Sequence, residues 1–313
     1  MKKKVITCYV VLCVIMLQFT VQPSFAANNY TGNWSDEYDI GSYGLNQMNL
    51  TMKNKGNKLE IEATNDYYLP INDSRASYLE GSGRYRSSFI TGLTTFNAKG
   101  TASFKYKDEY NNGQMTISVK NETVTLTWSG KETSDYSFPQ GTFKLNKKVN
   151  LSNAEIKKMG ILLSNLTELK LYNFDAKKVS NSELIRFGIW HNYINNFNSR
   201  ISSSKGKLYI SKSEVEKSIL KYFNIKFKNH RSIQDSNYNG KGYIFDGSDG
   251  ERVFYVKADA LYDMGGSSFR ISGHLYDPED PSEDIISRVN ATVKKVKTGN
   301  EYRYVISKLN VKH

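Results

Sequence analysis

Four histidines, His191, His230, His274 and His313, are the whole imidazole supply of this 313-residue chain. No two of them stand four residues apart with a glutamate between, the spacing that puts two ring nitrogens on one helix face for a metal. A single histidine still works as acid or base when a carboxylate orients it. His191, beside Trp190 in an apolar helical segment, is the candidate for that role, with Asp259 as its carboxylate; Trp190 and His191 are also the pocket candidates. His274 falls with Arg270 and Ser272 on the polar face of a strand, which is uninformative if that face meets water. Asp246, Asp249 and Glu251 gather carboxylates around glycines and are the calcium candidates. Yet Asp-Gly between two apolar runs is also hairpin-turn chemistry, and no later bidentate glutamate follows. Asp277-Pro-Glu-Asp-Pro-Ser-Glu-Asp284 is a second acidic loop, stiffened by prolines. It suits a solvated connection, a calcium site or a projecting surface for a basic partner.

Ser218-Ile-Leu-Lys221 and Lys297-Thr298-Gly299 resemble two motifs of penicillin-recognising enzymes. In that family the triplet lies on an inner strand, whereas Thr298-Gly299-Asn300 reads as a hairpin turn, so the resemblance carries no activity here. There is no glycine-rich phosphate loop, nucleophile elbow or internal repeat. Basic residues are spread along the chain, with Lys294-Lys295-Val-Lys297 the dense cluster, which argues against a nucleic-acid partner. No cofactor is indicated.

The ends say where such groups would work. Lys2 to Lys4, an apolar run from Val5 to Leu17 and Ser24-Phe25-Ala26-Ala27 form the three regions of a secretory signal, residues 1–26, cleaved after Ala26 or Ala27. A membrane anchor needs about 18 to 20 apolar residues, and Gln18, Thr20, Gln22 and Pro23 interrupt the run, so no transmembrane segment is expected after cleavage. Both cysteines, Cys8 and Cys13, lie inside the signal, and Leu12 does not suit lipidation of Cys13. The exported body has no thiol, which excludes disulfides and thiolate zinc sites. Its charge is uneven: residues 27–148 carry a net +1 and residues 149–313 a net +8. A basic exported surface attracts anionic polymers.

The elements that must hold these residues change character near Lys147-Lys148. From Tyr30 to Leu145 apolar residues recur with period two, as in Leu59-Ile61-Ala63 and Val124-Leu126-Trp128. That pattern predicts an all-β region over 27–146, an antiparallel barrel or sandwich of about eight strands. Residues 147–150 read as a linker. Beyond it, Ser152, Ser180 and Ser211 are each followed three residues later by glutamate (Glu155, Glu183, Glu214), which predicts three helix starts with reciprocal capping. Ile156, Met159, Leu163 and Leu166 should be buried on the first helix, and Val215, Ile219, Tyr222 and Phe223 on the third. Phe187, Trp190, Ile194, Phe197 and Ile201 should form one buried stripe on the second. Leu208-Tyr209-Ile210 reads as a short strand, and four long strands follow around 251–263, 267–276, 286–297 and 301–310. Residues 151–313 are thus expected to form an α+β domain, three helices on a curved antiparallel sheet.

Gly32-Asn33-Trp34 resembles the opening of lipocalin and avidin-type barrels, which implies a Trp34 that closes one barrel end. A barrel filled by its own side chains and one with a ligand cavity both fit that pattern. The helix and strand order of the second half resembles the NTF2-like fold, with cystatin-like folds as neighbours, and such folds fix no function. The whole exported chain resembles two-domain secreted proteins of Bacillus-type Gram-positive bacteria. These readings lead to an extracellular, non-catalytic binding or modulatory protein at the cell wall, with a wall hydrolase or an anionic wall polymer as partner. A carrier of a small apolar ligand, in the barrel or the cone, and an enzyme using His191 with carboxylates are the alternatives. The oligomeric state is left open.

Overall fold

The computed structural model describes residues 30–41, 44–68, 85–120, 123–134, 136–248, 252–279 and 287–312. The chain is mostly β, with a large antiparallel sheet, a small second sheet and four helices among the described residues. Strands β1 (Gly32–Gly41), β2 (Gly44–Lys55), β3 (Lys58–Tyr68) and β4 (Tyr85–Thr94) pair in sequence, as do β5 (Thr101–Lys107), β6 (Asn111–Lys120), β7 (Thr123–Glu132) and β8 (Gly141–Lys148). β8 then pairs with β1 through Asn146 and Lys147. The alternation read from the sequence holds: Met48, Leu50 and Met52, Leu59, Ile61 and Ala63, Val124, Leu126 and Trp128 all point into one core with Trp34 and Phe138. Trp128 fits there because Gly113 and Gly130 face each other beside it. A Cβ on Gly130 would lie 2.4 Å from the indole.

A second core gathers residues from Met159 to Val311. Its main layer is β14 (Tyr255–Asp263), β15 (Ser268–Tyr276), β16 (Ser287–Thr298) and β17 (Glu301–Lys312), paired antiparallel, with β9 (Asn173–Asp175) at the far edge. Helices α1 (Asn153–Thr167), α2 (Asn181–Asn195), α3 (Phe197–Arg200) and α4 (Lys212–Phe223) accompany it. Strands β10 (Ser202–Ser204), β11 (Lys207–Ser211), β12 (Ser236–Tyr238) and β13 (Gly242–Phe245) form the separate small sheet in the order β10-β11-β13-β12. No helix among the described residues is long and apolar enough to cross a membrane.

Several expectations change. Lys147 and Lys148, read as linker, are the last residues of β8 and pair with Asp263 and Tyr262 of β14, so one sheet runs through both halves. Two capping boxes are complete, but at Ser211 only the serine side caps. Glu214 is drawn off by Arg200 at 3.2 Å and Lys217 at 2.6 Å. The stripe predicted on the second helix is interrupted at Asn196, whose φ of −140° and ψ of 25° end α2. Ile194, still within α2, and Phe197, beyond the break, are both exposed, and the face that α2 buries runs through Leu184, Phe187, Gly188, His191 and Asn192 instead. β13 and β14 lie in different sheets, so the segment from Asp246 is a crossing and not a hairpin turn. The polar face of β15 is covered and does not face water: Ser272 is 4% and His274 7% exposed.

Candidate functional site

A surface concavity among the described residues is built by α1 lying along β14. The helix starts at a full capping box, Ser152 Oγ accepting from Glu155 N and the Glu155 carboxylate accepting from Ser152 N at 2.8 Å. Met159, Leu163 and Leu166 turn inward as the helical period predicts. β14 is in register with β8 only at its last two residues, so its earlier part has no neighbouring strand on that side. Two hydroxyls of α1 take the place of a neighbouring strand. Ser164 Oγ accepts from Val256 N at 2.9 Å while donating to Gly160 O, and Thr167 Oγ1 donates to Phe254 O at 2.7 Å. The helix gets this close because residue 160 is glycine; a Cβ there would lie 2.6 Å from Val256 O.

The result is a groove of about 540 Å³ between helix and strand edge. Ile156, Ile161 and Val256 give it apolar walls, Tyr255 and Tyr276 a pair of aromatic rings, and Lys157 and Lys257 two cations. The rings sit 6.1 Å apart because Tyr255 and Tyr276 are register partners on β14 and β15.

Glu168, the residue after α1, stands at one end of the groove. Its carboxylate accepts from Asn195 Nδ2 at 3.0 Å, and the same amide nitrogen lies 3.4 Å from His191 Nδ1. The histidine ring stacks on Phe187 at 5.4 Å and meets the Tyr222 ring edge-on at 4.6 Å. Burial, with the positive charges of Lys221 and Arg200 adding to it, lowers the His191 pKa to about 4, so the ring is neutral at ordinary pH and its Nδ1 is free to accept. Burial acts the opposite way on the acid, raising the Glu168 pKa against the bond from Asn195. It also pushes Tyr222 up to about 12, with the Glu168 charge contributing. Glu168, Asn195 and His191 thus form a short polar chain from groove to interior, able to accept a hydrogen bond or an ammonium group at its outer end.

The sequence-derived candidates are distributed as follows. His191 belongs to this chain and reaches Glu168 only through Asn195, while Asp259 is not part of it. Asp259 is held instead by His274 Nδ1 at 3.1 Å and Arg288 at 3.8 Å. Trp190 points elsewhere, packing edge-on against Tyr193 and Phe245 at 5.3 and 5.7 Å, so Trp190 and His191 do not share a pocket wall. Asp246 is ion-paired with Lys207 Nζ at 2.7 Å. Asp249 and Glu251 lie outside the described residues, and no group of three metal-ligating side chains occurs among the described residues. Asp277 does not project; it is 1% exposed and takes the Arg252 guanidinium, while residues 280–284 lie outside the described residues. Ser218 is buried and bonded to Asn192 Nδ2 at 2.8 Å, and Gly299 and Asn300 turn β16 into β17. His230, which carried no sequence expectation, bridges Tyr243 OH at 2.7 Å and Glu216 at 2.9 Å inside the second core. Glu168, Lys157, Lys257, Tyr255 and Tyr276 were not foreseen, since only the docking of α1 on β14 brings them together. Searched against known proteins, the chain matches no protein-family model, no curated protein and no solved structure.

Proposed function

We propose that the chain is an exported, non-catalytic binding protein that holds a segment of an anionic cell-surface polymer in the groove between α1 and β14. One observation carries this: Tyr255 and Tyr276 line that groove together with Lys157 and Lys257. Tyrosine rings give polyol or sugar units an apolar face with a polar rim, and lysines supply attraction to phosphate or carboxylate groups. The net +8 of residues 149–313 favours the same class of partner. The histidines fit a non-catalytic role, because each one with a described side chain is engaged inside the fold by Asn195, Tyr243 and Glu216, or Asp259.

The first eight strands, in this reading, form a barrel domain of their own. The pairing of β8 with β1 brings the ends of the meander together. Across the remaining gap, Thr94 Oγ1 of β4 donates to Ser103 O of β5 at 3.4 Å. Its interior is taken up by methionines, leucines and two tryptophans, so it is a filled scaffold and the binding work falls to the second half.

The test is binding of a linear polyphosphate and of a neutral dextran, measured by calorimetry at two salt concentrations. The proposal expects binding of the anionic polymer only, weakened by salt, and lost by about tenfold or more in a Lys157→Glu/Lys257→Glu variant. Equal binding by that variant, or equal binding of dextran, rules the reading out.

A second reading rests on the chain from Glu168 through Asn195 to His191 at the end of the groove, where burial raises the acid and lowers the base so that the neutral form of each is favoured. It expects turnover of a glycan or ester substrate that disappears in Glu168→Gln; binding without turnover favours the first reading.

A further inference from the structure

Along β15, Ile271, Gly273 and Leu275 face the helices, which puts Arg270, Ser272 and His274 on the opposite face. Arg288 of β16 is the register partner of His274 and shares that face. Four donors there are buried with no hydrogen-bond partner: Ser272 Oγ, Arg270 Nε and Nη2, and Arg288 Nε. Native interiors seldom leave such groups unpaired. Ser272 is 4% exposed, so bulk solvent does not satisfy it.

The two arginines are aimed. Arg270 lies over the Tyr262 ring at 4.6 Å, with Nη1 on Asp36 Oδ1 at 2.8 Å. Arg288 leans toward Asp259, 3.8 Å from its Nη1. Tyr262 and Asp259 are both on β14, so the guanidinium groups stand on either side of the Ala260–Ser272 pair. Ala260 itself brings only a methyl group to that face. Each carboxylate takes an Nη1 edge, which leaves the Nε edges to something else. A water molecule has only two lone pairs for four donors, whereas an oxyanion has enough for all of them.

We propose that this seam, where β1 meets the outer face of the β14–β16 sheet, is a binding site for a small oxyanion seated over Ser272 between Arg270 and Arg288. The ligand group is a phosphate, sulfate or carboxylate, free or borne by a larger molecule. The site is separate from the α1–β14 groove and does not depend on the reading of that groove.

Thermal melting of the full chain in inorganic phosphate, sulfate or acetate, at ionic strength fixed with sodium chloride, tests it. The melting temperature should climb with the logarithm of ligand concentration, as binding to the native state requires, for at least one of the three. The ion that acts best identifies the tetrahedral or the planar source. Ser272→Ala and Arg288→Gln should each weaken that response at least tenfold, while Lys157→Glu on α1 keeps it. Ser272→Ala removes only an unpaired hydroxyl, so it remains decisive if Arg288→Gln folds poorly. No ion-specific rise in the unmodified chain, an unchanged rise in Ser272→Ala, or a loss confined to the lysine variant would each overturn the proposal.

Discussion

His191 shows most clearly how one side chain couples chemistry to stability. An exposed histidine binds its proton near pH 6.5, whereas the buried ring in the native state waits until about 4. Between those values the unfolded chain holds the extra proton, so stability is fully present above about pH 6.5 and drains away as pH falls toward 4. The full effect is on the order of 3 kcal/mol. His191→Phe, which keeps an aromatic ring on Phe187 but cannot titrate, is expected to flatten the stability profile in that window. Urea denaturation of both proteins from pH 7 to pH 4 measures it, and parallel profiles would contradict the assignment. His191 reaches Glu168 through Asn195, while Asp259, the carboxylate the sequence offered, lies elsewhere. A bulge in β14 between Ala258 and Ala260 places Asp259 beside His274, and the end of α1 delivers Glu168 in its place. Neither event leaves a trace in local residue spacing.

Elements were legible where their signal was local. Helix starts at Ser152 and Ser180, the period of α1 and α4, and the long strands of both halves follow from capping chemistry and alternation. The stripe beyond Trp190 failed because Ile194 falls on the exposed side of α2 and Asn196 ends that helix before Phe197. The buried polar side of α2 was also invisible, since Asn192 is kept inside by bonds to Gly188 O and Ser218 Oγ that need two helices in place. The α1–β14 contact had a faint signal at best: Gly160, Ser164 and Thr167 are small residues on one helix face, a pattern that suits close approach without naming the partner. Its energetic role is testable. Ser164→Ala leaves the Val256 amide unsatisfied in a site where that residue is 4% exposed, and should cost about 1 to 3 kcal/mol. Chemical denaturation with an unchanged slope would show it, and a cost near zero would mean that the helix does not close this edge.

At the scale of the whole molecule, the decisive strand is β8. It belongs to the first core through Leu145 and hands the sheet to the second through Lys147 and Lys148. Arg270 and Asp36 add a second tie between the halves at 2.8 Å. Unfolding should therefore be one cooperative event. Trp34→Ala, which empties a site 3% exposed in the first core, should cost about 3 to 5 kcal/mol and lower a single calorimetric transition; two separated transitions would contradict the shared sheet. The change of period near Lys147 marked the boundary between the two cores, but not the continuity across it, because pairing partners in a sheet are not encoded by alternation.

The charge imbalance and the groove meet in one expectation, that the second half receives an anionic chain between α1 and β14. Hydrogen-deuterium exchange of the full protein with and without a linear polyphosphate tests this most directly. The account predicts added protection concentrated in residues 153–168 and 255–258, abolished in Lys157→Glu/Lys257→Glu. Protection confined to other segments, or no change at polymer concentrations that saturate binding, would contradict it.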